Sequence, residues 1–234
     1  MNAYNKFSYY YDDAISEIDY TLWLDFLMPY LNEDSKILDL ACGSGTLAIL
    51  LKLQGYDVCG LDLSSTIIDL AKEKAKVNRL NIDFHVMDMT NFKLDQKFDV
   101  ITCFFDSVNF LPTKKMVKDM FDTVHKHLNK GGLFICDVFS KAMLDEYDYN
   151  EINKSFQTYD LNWITKKEAS DRLVHNITII DKLNEATLQE SYHEYYYDLL
   201  KFKFANFELQ KISGDFNDDY LDEDERLIFV YKSI

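Results

Sequence analysis

The chain is predicted to be an α/β protein built on a doubly wound, mostly parallel seven-stranded sheet, with an N-terminal helix and an inserted antiparallel β-meander. Three observations predict it. Short apolar runs alternate with helix-length amphipathic segments from residue 36 to about residue 139, the order of strands and crossover helices. Phe98 to Phe105 is apolar along nearly its whole length, as a strand is when helices cover both faces of its sheet. Beyond about residue 150 the pattern changes to long segments of partial alternation, which suits antiparallel strands.

Taken in order, Ile15, Ile18, Leu22, Phe26, Leu27 and Tyr30 share one helical face, and Pro29 followed by Asn32-Glu33-Asp34 closes it. A single N-terminal helix docked by that stripe is expected. Lys36 to Leu40 is a buried strand that runs into the turn Cys42-Gly43-Ser44-Gly45, and a helix follows to about Leu53. Asp57 to Leu61 is the second strand, Ser64 or Ser65 caps a helix to about Val77, and Ile82 to Val86 is the third strand. After the fourth strand, Pro112 opens a helix to about Leu128, Gly131-Gly132 breaks it, and Leu133 to Val138 is the fifth strand. The meander comprises Ser155 to Lys166, Arg172 to Lys182 and Thr187 to Asp198, rich in tyrosine at Tyr192, Tyr195, Tyr196 and Tyr197. Glu208 to Ser213 and Arg226 to Tyr231 complete the main sheet on either side of the acidic loop Asp215 to Glu225. With no repeat and no Gly/Pro-rich linker, four segments of one unit are expected: a cap over 1–35, a core over 36–150, an insertion over the active site at 151–200, and the last core strands over 201–234.

Composition narrows the function classes. With 234 residues and 47% hydrophobic content, the chain buries a full core. Its 25 basic and 40 acidic residues leave a net charge of -15, which repels phosphate backbones and anionic membrane faces, so nucleic acid and membranes are poor partners. Cys42, Cys59, Cys103 and Cys136 lie in apolar stretches without metal-type spacing and read as reduced core thiols of a cytoplasmic protein; the five histidines suggest no metal site either. No leader-like start and no membrane-length apolar run is seen.

Ile37-Leu38-Asp39-Leu40-Ala41-Cys42-Gly43-Ser44-Gly45-Thr46 carries the most chemistry. Gly43 and Gly45 let the backbone turn sharply and approach a ligand, while the helix behind them presents unpaired N–H groups. Gly43-x-Gly45-x-x-Ala48, with Asp62 placed 19 residues after Gly43, also satisfies a dinucleotide fingerprint. Asp39 separates the two readings. Its carboxylate ends the strand where a pyrophosphate would have to lie, whereas S-adenosylmethionine offers an ammonium and a sulfonium there.

These residues resemble the Rossmann-like class I S-adenosylmethionine-dependent methyltransferases, with specific motifs over about residues 36 to 139. The resemblance implies that Asp62, in Gly60-Leu61-Asp62-Leu63-Ser64, binds both ribose hydroxyls with Leu63 beside it. It implies that Asp88, in Val86-Met87-Asp88-Met89-Thr90, accepts from the adenine amino group with Met89 as a neighbouring contact. It further implies that Asp39, Ala41, Gly43 and Gly45 cradle the amino-acid end, and that the fourth strand at Cys103 passes beside the methyl-bearing sulfur. Asp99, at the opposite end of that strand, reads as structural. Looser patterns, Tyr4-x-x-Phe7-x-x-x-Tyr11-Asp12, Tyr20-x-x-Trp23 and Asp106-Ser107-x-Asn109, are similar to bacterial small-molecule methyltransferases that include amino-sugar N-methyltransferases.

Methyl transfer from a sulfonium is an in-line displacement, so alignment and water exclusion matter more than dedicated catalytic groups. Strand ends bring Asp39, Asp62, Asp88, Asp106 and Asp137 to one crevice. Asp106, Asn109 and Asp137 are candidates for orienting the substrate, and Tyr11 for closing over the donor; Trp23 reads as core. The expected function is transfer of a methyl group from S-adenosylmethionine to a nitrogen or oxygen of a small molecule. An NAD-dependent oxidoreductase and a non-catalytic S-adenosylmethionine-binding protein are the alternatives; the acceptor and the oligomeric state are not legible.

Overall fold

A computed structural model describes residues 7–147 and 149–234. Five parallel strands come first: β1 (Lys36–Leu40), β2 (Asp57–Asp62), β3 (Asp83–Val86), β4 (Phe98–Cys103) and β5 (Leu128–Phe139). Helices α3 (Thr46–Leu53), α4 (Ser65–Val77) and α5 (Lys114–His127) connect them, preceded by α1 (Ser8–Ala14) and α2 (Thr21–Leu27), and a short α6 (Lys141–Glu146) follows β5. A second sheet then forms from β6 (Asn150–Ser155), β7 (Tyr159–Ala169), β8 (Arg172–Asp181) and β9 (Ala186–Tyr195), before β10 (Phe207–Gly214) and β11 (Arg226–Ser233) rejoin the first. The strand order of the first sheet is β10-β11-β5-β4-β1-β2-β3, with β11 antiparallel to both of its neighbours.

The pleat explains why β1 reads as continuous apolar sequence. Ile37 packs on the face covered by α2, α3 and α4, whereas Leu38 and Leu40 pack on the face covered by α5. Each such side chain stabilises the fold by about 2 kcal/mol when buried. Ser64 caps α4 as the sequence suggests, accepting from the Ile67 N–H, whereas α5 begins two residues after Pro112, with Thr113 as its cap accepting from the Met116 N–H. The chain leaves β1 toward β2 and β3 on one side and returns to β4 on the other, so the order reverses between β1 and β4. A ligand crevice opens at the carboxyl ends of the strands at such a reversal.

Three expectations need correction. The single N-terminal helix is two, because the chain turns at residues 15–20. Asp19 then takes the Thr21 N–H at 3.0 Å and starts α2, which buries Trp23, Leu24 and Leu27; Ile18 in the turn and Leu22 in the helix stay exposed. Gly131-Gly132 does not break the helix before β5. That helix ends at His127, and β5 runs through both glycines with an irregular register opposite Phe98 and Val100. The meander has four strands, because the segment expected over 155–166 turns at residues 156–158 and divides between β6 and β7. Tyr4 of the N-terminal pattern lies outside the described residues. Among the described residues, no helix is long and apolar enough to cross a membrane.

Candidate functional site

A cavity of about 680 Å³ opens at the predicted end of the sheet. It gathers Asp39 and Ala41 from the end of β1, Asp62 and Leu63 from the end of β2, Asp88 and Met89 after β3, and Gly43 from the turn between β1 and α3. Tyr11 from α1, Phe105 after β4 and Tyr192 and Tyr195 from β9 line the same space.

Asp39 is a carboxylate among the buried residues of β1, whose other buried members, Ile37, Leu38 and Leu40, are apolar. Its register partner on β4 is Thr102, whose hydroxyl donates to Asp39 Oδ1 at 2.9 Å. Burial pushes this carboxyl up to about 7, and the Thr102 bond only partly opposes that shift. A leucine here would extend the core at no such cost, so the carboxylate is a costly departure from core packing at the cavity wall. Ala41 and Gly43 both take positive φ, which swings the chain back under the strand ends. There the Gly43 N–H donates to Asp62 Oδ2 at 3.1 Å and the Ser64 N–H donates to Asp62 Oδ1 at 2.9 Å. Burial raises the Asp62 carboxyl as well, against those backbone bonds. Asp88 closes its own loop by accepting from the N–H and the hydroxyl of Thr90 at 2.8 and 2.7 Å.

Helix α1 straps this turn to the second sheet. The Lys74 ammonium donates to Asp12 at 2.8 Å, to Ser44 at 2.9 Å and to Thr46 at 2.7 Å, and Ser44 also bonds Asp12. On its other side the Tyr159 hydroxyl donates to Asp13 at 2.7 Å, and Phe7 packs edge-on against Trp163. Tyr11 is thereby held in the cavity wall. Burial raises its phenol well above the usual value, so it stays protonated and donates rather than acting as a base at neutral pH.

The structure parts five predicted site residues from the cavity, Gly45, Cys103, Asp106, Asn109 and Asp137. Gly45 does not line it: at φ +77 it caps α3, and a Cβ there would stand 2.7 Å from the Phe84 ring. Gly45→Ala is therefore expected to destabilise folding by roughly 2–4 kcal/mol, read as a lower thermal midpoint. Cys103 shares the parity of Ile101, lies wholly buried in the core on the α5 face and is absent from the cavity lining. Asn109 is also wholly buried; its amide donates to the Tyr195 carbonyl at 2.8 Å and accepts from the Phe139 N–H at 3.3 Å, which ties the β4 loop to β9 and β5. Asp106 turns away from the cavity to Arg226, which holds both its oxygens at 2.9 Å. Asp137 joins the same cluster, accepting from Arg226 at 2.9 Å, from Trp23 Nε1 at 2.7 Å and from the Asp106 N–H at 2.8 Å. Trp23 is buried, as expected, and braces this cluster. Asp99 takes the Lys36 N–H and the Asn129 amide at the far end of β4.

Sequence reasoning passed over several lining residues, among them Tyr20, Cys42, Phe105, Phe110 and His193. His193 carried a readable signal, since it stands between the tyrosines of β9; its Nε2 lies 3.2 Å from Glu168. Among the described residues, no group of three or more His, Cys, Asp or Glu side chains is placed to hold a metal ion.

Known proteins resemble this chain in sequence and fold. A methyltransferase-domain profile matches residues 37–132. The chain is 30% identical over 240 residues to YqeM of Bacillus subtilis (strain 168), a protein bearing a methyltransferase name, with 97% of this chain and 95% of that one covered. It is 28% identical over 251 residues to a similarly named protein of Geobacillus sp. (strain WCH70), covering 98% and 99%. An S-adenosylmethionine-dependent methyltransferase from Clostridium acetobutylicum ATCC 824 superposes with a TM-score of 0.83 at 28% identity over 99% of each chain. The amino pentose methyltransferase CalS10 from Micromonospora echinaspora shares the fold, with a TM-score of 0.70 at 16% identity over 100% of this chain and 99% of that one. Full-length similarity of this kind, on a sheet of this order with carboxylates at its strand ends, makes the chain a member of the class I S-adenosylmethionine-dependent methyltransferases.

Proposed function

We propose that the enzyme transfers a methyl group from S-adenosylmethionine to a nitrogen or oxygen of a small-molecule acceptor bound in the same cavity. The observation that carries this is the pairing, in one cavity, of three strand-end carboxylates with an aromatic wall from α1, the β4 loop and β9. The donor set suits the cofactor: Asp39 matches an ammonium, Asp62 a vicinal diol, and Asp88 with Met89 an amino-bearing ring, while Ala41, Gly43 and Leu63 bring backbone close. When bound, the cofactor supplies an electrophilic methyl on a sulfonium. The protein then has to align the acceptor and exclude water.

For that task Tyr11 and the aromatic side chains of the β4 loop and β9 form the acceptor wall, with Tyr11 donating a hydrogen bond as a phenol. Among the described residues, no lysine or arginine lines the cavity, so the described wall offers nothing to grip a phosphate chain; this favours a neutral or cationic acceptor. The amino pentose handled by the fold neighbour CalS10 is a molecule of comparable class. Residues 151–200, which include β9, act on this reading as the cover of the acceptor side.

Calorimetric titration with S-adenosylmethionine, S-adenosylhomocysteine and NADH tests the site. Both sulfur cofactors are expected to bind with 1:1 stoichiometry and NADH to show no heat of binding; NADH binding alone would overturn the assignment of Asp39.

A further inference from the structure

We propose that Arg226 is a positioning residue for methyl transfer: through Asp106 and Asp137 it locks the corner after β4 and so fixes Phe105 in the wall of the cavity. This rests on the reading of that cavity as the cofactor site. Phe105 and Asp106 stand in succession at φ 58, a left-handed conformation that residues other than glycine adopt only when their surroundings over-determine it. Arg226 opens β11, opposite Phe139 of β5, 120 residues along the chain from Asp106. Its planar fork takes both oxygens of Asp106 and one of Asp137, while the other oxygen of Asp137 accepts the Asp106 N–H. Side chain and backbone of the corner are thus held from β5 and β11 together.

The link to the cavity is a stack. The Arg226 guanidinium lies 5.2 Å from the centre of the Trp23 ring, Trp23 stacks on Phe105 at 4.2 Å, and Phe105 also meets Tyr20 at 4.7 Å. Phe105 and Tyr20 both line the cavity. A lysine has one compact charge and cannot hold three oxygens on two carboxylates in this planar arrangement. Loss of the fork would release the corner, the stack and the Phe105 ring in turn. Burial opposes the charge of Arg226, and the two carboxylates more than offset this, so the guanidinium stays charged across the working pH range.

The test measures binding of S-adenosylhomocysteine by calorimetry, together with Trp23 emission in a Trp163→Phe background, where Trp23 is the sole tryptophan of the chain. Addition of S-adenosylhomocysteine is expected to shift Trp23 emission in that background. Arg226→Lys is expected to weaken binding about tenfold and to abolish the shift, and Phe105→Ala, which leaves the ion cluster intact, to weaken binding to a similar extent. Asp106→Asn keeps Arg226 paired with Asp137 and tolerates the left-handed backbone, so it serves where Arg226→Lys fails to fold; a weakening of about threefold is expected. A lower melting temperature with unchanged affinity and an unchanged emission shift, in whichever of these two variants folds, would reduce the cluster to a structural brace and overturn the proposal. Failure of the unsubstituted protein to bind S-adenosylhomocysteine would overturn the cavity reading and the proposal with it.

Discussion

Asp62→Ala is expected to weaken S-adenosylmethionine binding by about 3 kcal/mol, roughly 100-fold in Kd, and to bring methyl transfer below detection at ordinary cofactor concentrations. Two losses combine. A carboxylate that accepts two hydrogen bonds from a vicinal diol contributes more than a neutral acceptor does, because each bond is charge-assisted. The same side chain also anchors the turn through the N–H groups of Gly43 and Ser64, so alanine loosens the Gly43 backbone that shares the cavity. Asp62→Asn separates the contributions. It retains an oxygen that can accept one backbone bond, and its melting temperature is expected to stay near that of the parent while affinity still falls at least tenfold. Calorimetry and a thermal melt on both variants decide the matter; an Asp62→Ala protein that binds with parental affinity would remove the residue from the site.

The main sheet was legible because its strands are buried on both sides. β1, β2 and β4 read as largely apolar runs, and Asp39 near the end of β1 and Asp62 at the end of β2 stand out for that reason. The N-terminal region was less legible. Its apolar residues fit one helical stripe, yet the chain turns between α1 and α2, and Asp19 ahead of Thr21 was a start signal as good as the stripe. The division of β6 from β7 depends on a turn at Phe156-Gln157-Thr158 that contains neither glycine nor proline.

Within the site, position along a strand was easier to read than direction. Cys103 ends β4, but its parity with Ile101 turns its side chain into the core. The sequence puts Asp106 and Asn109 beside the crevice, and in the structure neither lines it. Their partners, Arg226 and the Tyr195 carbonyl, come from strands 120 and 86 residues away in sequence, where no local pattern reports a pairing. Phe105 was passed over because aromatic residues after a buried strand ordinarily belong to the core; only the left-handed corner turns this one into the cavity.

Affinity for S-adenosylmethionine is expected to fall about tenfold as the pH is lowered from 7.5 to 6, because Asp39 must be ionised to hold the cofactor ammonium and its carboxyl in the free protein is pushed up to about 7 by burial. The free protein shows the opposite trend. A carboxyl raised in the folded state binds its proton more tightly there than in the unfolded chain. Its contribution to stability is therefore fully present below the ordinary carboxylate value of about 4 and is lost as the pH rises through about 7. Asp106, also pushed up to about 7 by burial against the pull of Arg226, adds to this in the same direction. The unliganded enzyme should thus melt at a lower temperature at pH 8 than at pH 5.5, while the protection given by cofactor grows over the same interval. Above pH 8 the cofactor amine loses its own proton, near the ordinary α-amino value of about 8, so affinity peaks between the two limits. Asp39→Asn separates Asp39 from Asp62 and Asp106, whose carboxyls burial also raises: the variant should bind weakly throughout and lose most of the acid limb while keeping the alkaline one. A parental affinity that stays flat from pH 6 to 7.5 would mean that Asp39 does not meet the ammonium.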